Sequence, residues 1–163
     1  MCIEMEESIL VRNMLVKSAD KITKVSESAV KEYVDNIDLL AAILNETMLK
    51  RTDILDLIGG EENISIMKNN HDKHVRFVAA LLQTPNSETL VDTLLWIFPT
   101  HMRRGFSSNY WIVQLNTLIQ ILKENVSEKA FLEIVSIYNW ININVPNFVM
   151  AADEEIQRSK YND

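Results

Sequence analysis

Apolar residues recur every three or four positions along most of the chain, and this spacing predicts helices. Residues 3–24 place Val11, Leu15 and Ile22 on one side and lysines and glutamates on the other, which predicts an amphipathic leading helix. Residues 28–50 continue with one apolar stripe, made by Val30, Val34, Ile37, Ala41, Leu44 and Met48. This stripe predicts a single long helix that faces the core.

Turn and capping residues divide the rest of the chain into further helices. Gly59 and Gly60 break the periodicity, which resumes at Ile64, Met67, His71, His74 or Val75, Val78 and Leu82. Asn86 or Ser87 is placed to cap the next helix. Pro99 cannot donate a backbone hydrogen bond, so we expect that helix to kink or restart before His101.

The last third of the chain predicts two more helices after a corner. Gly105 suits a helix end, and Ser107 or Ser108 can cap the helix that follows. Ser127 is expected to cap the last helix, which Pro146 should interrupt before a final stretch to about residue 157. We therefore expect an all-α chain with one domain over residues 1–163.

The composition agrees with this expectation and limits the classes of molecule that the chain could bind. The chain has 163 residues, 47% of them hydrophobic, with three glycines, three prolines and a net charge of -7. An acidic chain disfavours nucleic acid and anionic membranes as partners. No apolar run approaches the roughly 18 residues of a membrane span, and nothing resembles a secretory signal. Cys2 is the only cysteine, so we expect no internal disulfide and a cytoplasmic protein.

Motifs for side-chain catalysis are missing from the sequence. It has no glycine-rich phosphate loop, no nucleophile elbow and no Glu-x-x-His pair, so we expect a binding role and not an enzyme. His71 and His74 are three residues apart and could supply two zinc ligands, but the spacing specifies no others. We therefore expect one of these histidines to pack against the core and the other to be solvated.

His101 differs from the other histidines in its surroundings. Five of the twelve aromatic residues, Trp96, Phe98, Phe106, Tyr110 and Trp111, lie within sixteen residues around it. A porphyrin needs an apolar slot and one neutral imidazole that reaches the iron, often near a helix end. The same spacing also fits an ordinary helix end beside core aromatics.

The stretch "HMRRGFSSNYW", residues 101–111, resembles the proximal-histidine segment of globin-coupled sensors. That pattern is histidine, any residue, arginine, an apolar residue, glycine, an apolar residue, three residues and two aromatics. It is matched here by His101, Arg103, Gly105, Phe106, Tyr110 and Trp111. Upstream, His74 fits the family's distal histidine or tryptophan, and Leu57 with Ile58 fits the apolar pair that opens the distal helix.

The resemblance implies a globin-like fold with an additional N-terminal helix. Residues 1–27 would form the leading helix and residues 28–157 the globin core. It also implies haem b as cofactor, His101 as the iron ligand, and a sensor of a diatomic gas, most simply oxygen. The implied cofactor-binding residues are His101, Met67, Asn70, His71, His74, Phe98, Phe106, Tyr110 and Trp111.

Departures from the family pattern affect the distal side and the corner. Arg104 replaces an apolar residue, Ser107 and Ser108 replace a proline-containing corner, and Pro99 is unexpected in this helix. The family often has a distal tyrosine, and none occurs near residues 41–45. Met67, Asn70 and His71 are the candidate distal replacements.

Partner predictions rest on the last two helices. The apolar residues Leu115, Leu118, Ile119, Leu122, Phe131, Val135 and Tyr138 exceed what one core is expected to use, which favours a homodimer through these helices. The resemblance implies that this interface passes a signal to an output protein. The alternative hypothesis is a non-haem globin-fold signalling domain that binds a fatty acid or only a protein partner.

Overall fold

The computed structural model describes residues 2–161, with side chains over residues 7–160. Within these residues the chain forms eight α-helices, one short 3-10 turn at Glu61–Asn63 and no strand, which confirms the all-α class. The helices are α1 Cys2–Ala19, α2 Glu27–Asp35, α3 Ile37–Leu49, α4 Ile54–Ile58, α5 Ile64–Gln83, α6 Ser87–Met102, α7 Asn109–Asn125 and α8 Glu128–Tyr161.

The single helix predicted over residues 28–50 is in fact two helices, α2 and α3. They are separated by Asn36, whose φ of -105° and ψ of 2° leave the helical region and whose amide donates to the carbonyl of Glu32 at 2.8 Å. This break rotates α2, so that Ala29 and Tyr33 face the core. Val34, which the apolar stripe placed inside, is 38% exposed.

Neither Pro99 nor Pro146 ends its helix, so the predicted interruption at Pro146 is wrong and α6 does not restart before His101. Helix α6 continues through Pro99 to Met102, and α8 continues through Pro146 to Tyr161. Side-chain donors bond to backbone carbonyls close to Pro99: Thr100 Oγ1 donates to the carbonyl of Trp96 at 2.7 Å. Around Pro146, burial of the neighbouring apolar side chains stabilises the helix. Local sequence preference does not include this tertiary packing, so it predicted a break.

Two of the predicted caps are confirmed, whereas Ser108 at the start of α7 makes no side-chain capping bond and only Ser107 Oγ accepts there, from the backbone N–H of Asn109 at 3.2 Å. The Asn86 side chain accepts from the backbone N–H of Thr89 at 2.8 Å, and Ser127 Oγ accepts from that of Ala130 at 3.2 Å. Gly59 ends α4 with a φ of +81°, a conformation that glycine adopts without a steric penalty. These residues set the directions in which the helices leave their corners.

Helix α8 is the centre of the packing and contacts α2, α6 and α7, while α3 lies against α5 and α7. A buried hydrogen-bonded pair, Tyr33 with Tyr138, joins α2 to α8, and Tyr33 also donates to the carbonyl of Val75 in α5. Helix α1 packs on α6, where Arg12 forms a bidentate ion pair with Asp92. Polar contacts thus reinforce a continuous apolar core.

Most residues predicted to form a dimer interface are used by the core of one chain. Leu115, Leu118, Leu122 and Tyr138 are fully buried, and Ile119, Phe131 and Val135 are half-buried. The apolar side chains that α8 does expose are Leu132, Ile143 and Met150. The sequence-based choice of Leu115, Leu118, Leu122 and Tyr138 was therefore wrong, because these side chains pack inside one chain. Ile119, Phe131 and Val135 keep part of their surface exposed.

Among the described residues, no helix combines the length and the hydropathy that crossing a bilayer requires.

Candidate ligand cleft between α5 and α6

A cleft of about 390 Å³ separates α5 from α6 and reaches Trp111 of α7. Most of the surface of the cleft is apolar, although eight of its fourteen lining residues are polar or charged. Helix α5 contributes Ile66, Asn69, Asn70, Lys73, His74 and Phe77, and α6 with its following corner contributes Thr93, Leu94, Trp96, Ile97, Thr100, His101 and Arg104. A volume of a few hundred Å³ with a largely apolar surface is typical of small-molecule sites.

His101 lies in the last turn of α6 and is 8% exposed. Its Nδ1 is 3.0 Å from the carbonyl oxygen of Ile97, and because a carbonyl only accepts, Nδ1 carries the proton. Burial lowers the pKa of His101, the positive charge of Arg104 lowers it further, and the bond to Ile97 opposes both. The imidazole is therefore neutral near pH 7, and Nε2 keeps its lone pair without a hydrogen-bond partner among the described residues.

Aromatic rings hold the His101 imidazole in place. Phe106 and Trp111 each meet it edge to face, with ring centroids 5.0 and 5.5 Å away. Phe98 does not line the cleft, but it stacks on Trp111 with the ring centroids 4.5 Å apart. This packing leaves the histidine little freedom to rotate.

The corner after His101 is tied to the start of α5. The buried amide of Asn63 donates to the carbonyls of Ile58 and Arg104, both at 2.8 Å. Gly59 and Gly105 touch backbone to backbone, so that a Cβ at Gly59 would lie 2.4 Å from the Gly105 oxygen. These contacts fix the end of α6 relative to the base of α5 and so set the width of the cleft at that end.

His71 points away from the cleft. Its Nδ1 donates to Asn45 Oδ1 at 2.7 Å, and its Nε2 accepts from the Tyr110 hydroxyl at 3.0 Å. Burial, with a smaller effect of neighbouring His74, lowers the pKa of His71 to about 3. This neutral, fully bonded histidine joins α3, α5 and α7 and has no free nitrogen for a ligand.

His74 and Asn70 are the α5 candidates that do line the cleft. Neither residue is solvated, and His74 Nε2 is buried without a partner in the described part of the chain. Burial lowers the pKa of His74 to about 4. The expectation that one of His71 and His74 would be solvated is wrong, because both are buried.

Of the nine predicted site residues, four line the cleft: His101, Asn70, His74 and Trp111. Met67 and His71 lie on another side of α5, while Phe98, Phe106 and Tyr110 pack behind the cleft. Sequence reasoning missed Lys73, and it noted Arg104 only as a departure from the sensor pattern and not as a site residue; both are exposed at the edge of the cleft. The i, i+4, i+7 and i+11 spacing of Ile66, Asn70, Lys73 and Phe77 was the available signal for a second helical face.

No group of three or more histidine, cysteine, aspartate or glutamate side chains that could hold a bare metal ion occurs among the described residues. The cleft instead offers two neutral imidazoles, His101 from α6 and His74 from α5. A metal that is already held by a macrocycle needs only one such imidazole from the protein. Comparison of the chain with protein-family models, curated proteins and solved structures gives no match.

Proposed function

We propose that this chain is a globin-like sensor domain that binds haem b between α5 and α6 and responds to a diatomic gas, with oxygen as the first candidate. The observation that carries the proposal is His101. Its Nδ1 is bonded to the carbonyl of Ile97, its ring is neutral and rigidly packed, and its Nε2 lone pair is unused in a cleft of about 390 Å³. Haem needs such a group on one side and apolar walls around it.

The two walls of the cleft would have different roles. Haem, when bound, supplies an iron that binds a diatomic gas reversibly. His101 on α6 would hold the cofactor, and the bond to Ile97 would orient the imidazole. Asn70 and His74 are the buried polar side chains on the α5 wall, whereas Asn69 and Lys73 of the same wall are exposed. With no tyrosine among the lining residues, Asn70 and His74 would be the side chains that hydrogen-bond a gas inside the cleft.

A signal would leave the cleft through α6 and α8. Phe98 of α6 stacks on Phe148 of α8 at 5.3 Å, and Arg103, next to the end of α6, pairs with Glu155 at 2.7 Å. A shift of His101 would therefore be transmitted to α8 through these contacts. We propose that α8 forms part of a homodimer interface, now through its exposed apolar side chains, and that an output protein reads the change. This function is one of binding in the cytoplasm, without catalysis.

The alternative, a non-haem domain that binds a fatty acid, is favoured by one observation. Lys73 and Arg104 stand at the edge of an apolar cleft, which suits an apolar tail with a carboxylate end. A domain that binds only a protein partner would need neither the cleft nor the unused imidazole nitrogen.

Titration of haem into the ligand-free chain tests the proposal. We expect saturation at one haem per chain and a sharp Soret band, because one cleft with one ligating imidazole binds one cofactor. Weak, non-saturating absorbance with saturable binding of oleate would favour the alternative. His71→Gln is a suitable control, because it removes a buried imidazole that does not line the cleft, so it should leave the haem stoichiometry unchanged.

A further inference from the structure

Two cations stand at the mouth of the cleft, one from each wall. Lys73 lies on α5 and Arg104 lies just beyond α6, and both side chains are exposed while lining the cleft. No aspartate or glutamate occurs among the residues that line it. In a chain with a net charge of -7, this is a local excess of positive charge.

Arg104 is exceptional among the six arginines of the chain. The other five, Arg12, Arg51, Arg76, Arg103 and Arg158, each form an ion pair with a carboxylate. Within residues 7–160, Arg104 forms none, and neither does Lys73. The guanidinium nevertheless lies close enough to His101 to affect its protonation. Arg104 thus combines an unpaired charge with a position near the buried imidazole of His101.

Below these cations the cleft has apolar surface beside the polar side chains already named, and it contains an unused donor. Ile66, Phe77, Leu94 and Ile97 provide hydrocarbon surface, and the buried Nε1 of Trp111 has no acceptor among the described residues. Apolar depth with unpaired cations at the opening complements a molecule that has a hydrophobic body and an anionic end. A guanidinium is well matched to a carboxylate because its planar N–H groups can bind both oxygens.

We infer that the cleft selects ligands that carry a carboxylate on an apolar body, and that Arg104 and Lys73 bind this carboxylate at the mouth. The inference deepens the proposed function and rests on its premise that the cleft is a ligand site. It gives a role to Arg104, which stands where the sensor pattern has an apolar residue. A tetrapyrrole with propionate groups and a fatty acid both present this chemistry, and the experiment separates them.

The test measures binding of metal-free protoporphyrin IX and of its dimethyl ester by porphyrin fluorescence. The diacid should bind more tightly than the ester. Arg104→Gln and Lys73→Gln should each weaken diacid binding by about two- to fivefold, the range for partly exposed ion pairs, and should leave ester binding unchanged. The effect should shrink at high salt. Both side chains are exposed and without ion pairs, so folding should be unaffected.

Matched controls remove nearby charges that do not line the cleft. Lys68→Gln acts on the same helix as Lys73, and Arg103→Gln acts on the residue next to Arg104; both should bind the diacid like the wild type. Oleate and oleyl alcohol, followed by tryptophan fluorescence, form the second arm, because Trp96 and Trp111 line the cleft.

The outcomes separate this inference from the haem proposal. Metal-free porphyrin has no iron for His101, so charge-dependent binding of either acid supports the inference even if haem itself shows no ligation by His101. Charge-dependent binding of oleate alone would keep the carboxylate site and reject the haem proposal. Equal binding of acid and uncharged analogue, wild-type affinity in both variants, or no binding of either acid would overturn the inference.

Discussion

The two buried histidines of α5 should make the stability of the ligand-free protein strongly pH-dependent in mildly acidic solution. Burial lowers the pKa of His71 to about 3 and that of His74 to about 4, whereas both titrate near 6.5 in the unfolded chain. Below pH 6.5 the unfolded state therefore binds more protons than the folded state. Stability is fully present above this pH and is lost progressively as the pH falls toward 4 and 3.

The loss of stability at pH 5 depends mainly on the pKa that the two histidines have in the unfolded chain. A pH of 5 lies about 1.5 units below the pKa of an unfolded histidine, whereas each buried histidine stays neutral in the folded state. Each histidine therefore lowers the free energy of unfolding by about 2 kcal/mol relative to pH 7.5. Together they lower the free energy of unfolding by about 4 kcal/mol, a large fraction of the roughly 5–15 kcal/mol typical of a domain. His101, whose pKa is also lowered by burial, changes stability in the same direction.

Urea unfolding at pH 7.5, 6.0 and 5.0 measures this loss. The pH range is selective for the histidines. Five carboxylates have lowered pKa values, so their contribution to stability is lost mainly below this range: Glu32, Glu46, Asp53, Asp92 and Glu133. His74→Gln should reduce the loss between pH 7.5 and 5.0 by about 2 kcal/mol, since it removes one of the two titrating groups. An unfolding free energy that is the same at pH 7.5 and 5.0 would refute the burial of neutral histidines described here.

Three further predictions concern the fold and its assembly. Gly59→Ala should destabilise the chain by more than about 2 kcal/mol in urea unfolding, because its Cβ would meet the Gly105 oxygen and φ is +81°; wild-type stability would contradict the corner contact. Tyr33→Phe should cost about 1–3 kcal/mol and more than Tyr138→Phe, because Tyr33 also donates to a backbone carbonyl; additive losses in the double variant would argue against the pair. Ile143→Glu, at a side chain that is 76% exposed, should leave stability unchanged and convert a dimer to a monomer in light scattering, and a monomeric wild type at high micromolar concentration would remove the proposed interface.

The sequence was sufficient to predict the all-α class and the positions of most helix ends. Capping by Asn86 and Ser127 and the turn at Gly59 are local effects, so residue type alone identifies them. Predictions failed where tertiary packing overrides local preference. Pro99 and Pro146 break isolated helices, but here packing on neighbouring helices keeps both helices continuous.

The residues of the candidate site could be predicted from the sequence near His101, but less well on α5. His101, Trp111 and their aromatic neighbours are close in sequence, so the motif brings them together by itself. On α5 the direction of each histidine depends on what α3 and α7 offer: Asn45 and Tyr110 bind His71 and turn it from the cleft. Such long-range partners leave no local signal. The same holds for the dimer residues, because burial of α7 depends on helices far away in sequence.

The ligation of iron by His101 is the centre of this account, and one comparison tests it most directly. Absorption spectra of the haem-loaded wild type and of His101→Ala should be recorded with and without reductant, and again after addition of imidazole. We expect the substitution to abolish the wild-type Soret and visible bands while the chain stays folded, and imidazole to restore them partly by filling the vacated space. His71→Gln should keep the wild-type spectrum. A wild-type Soret band in His101→Ala would show that the histidine at the end of α6 holds no iron, and the proposed function would fail.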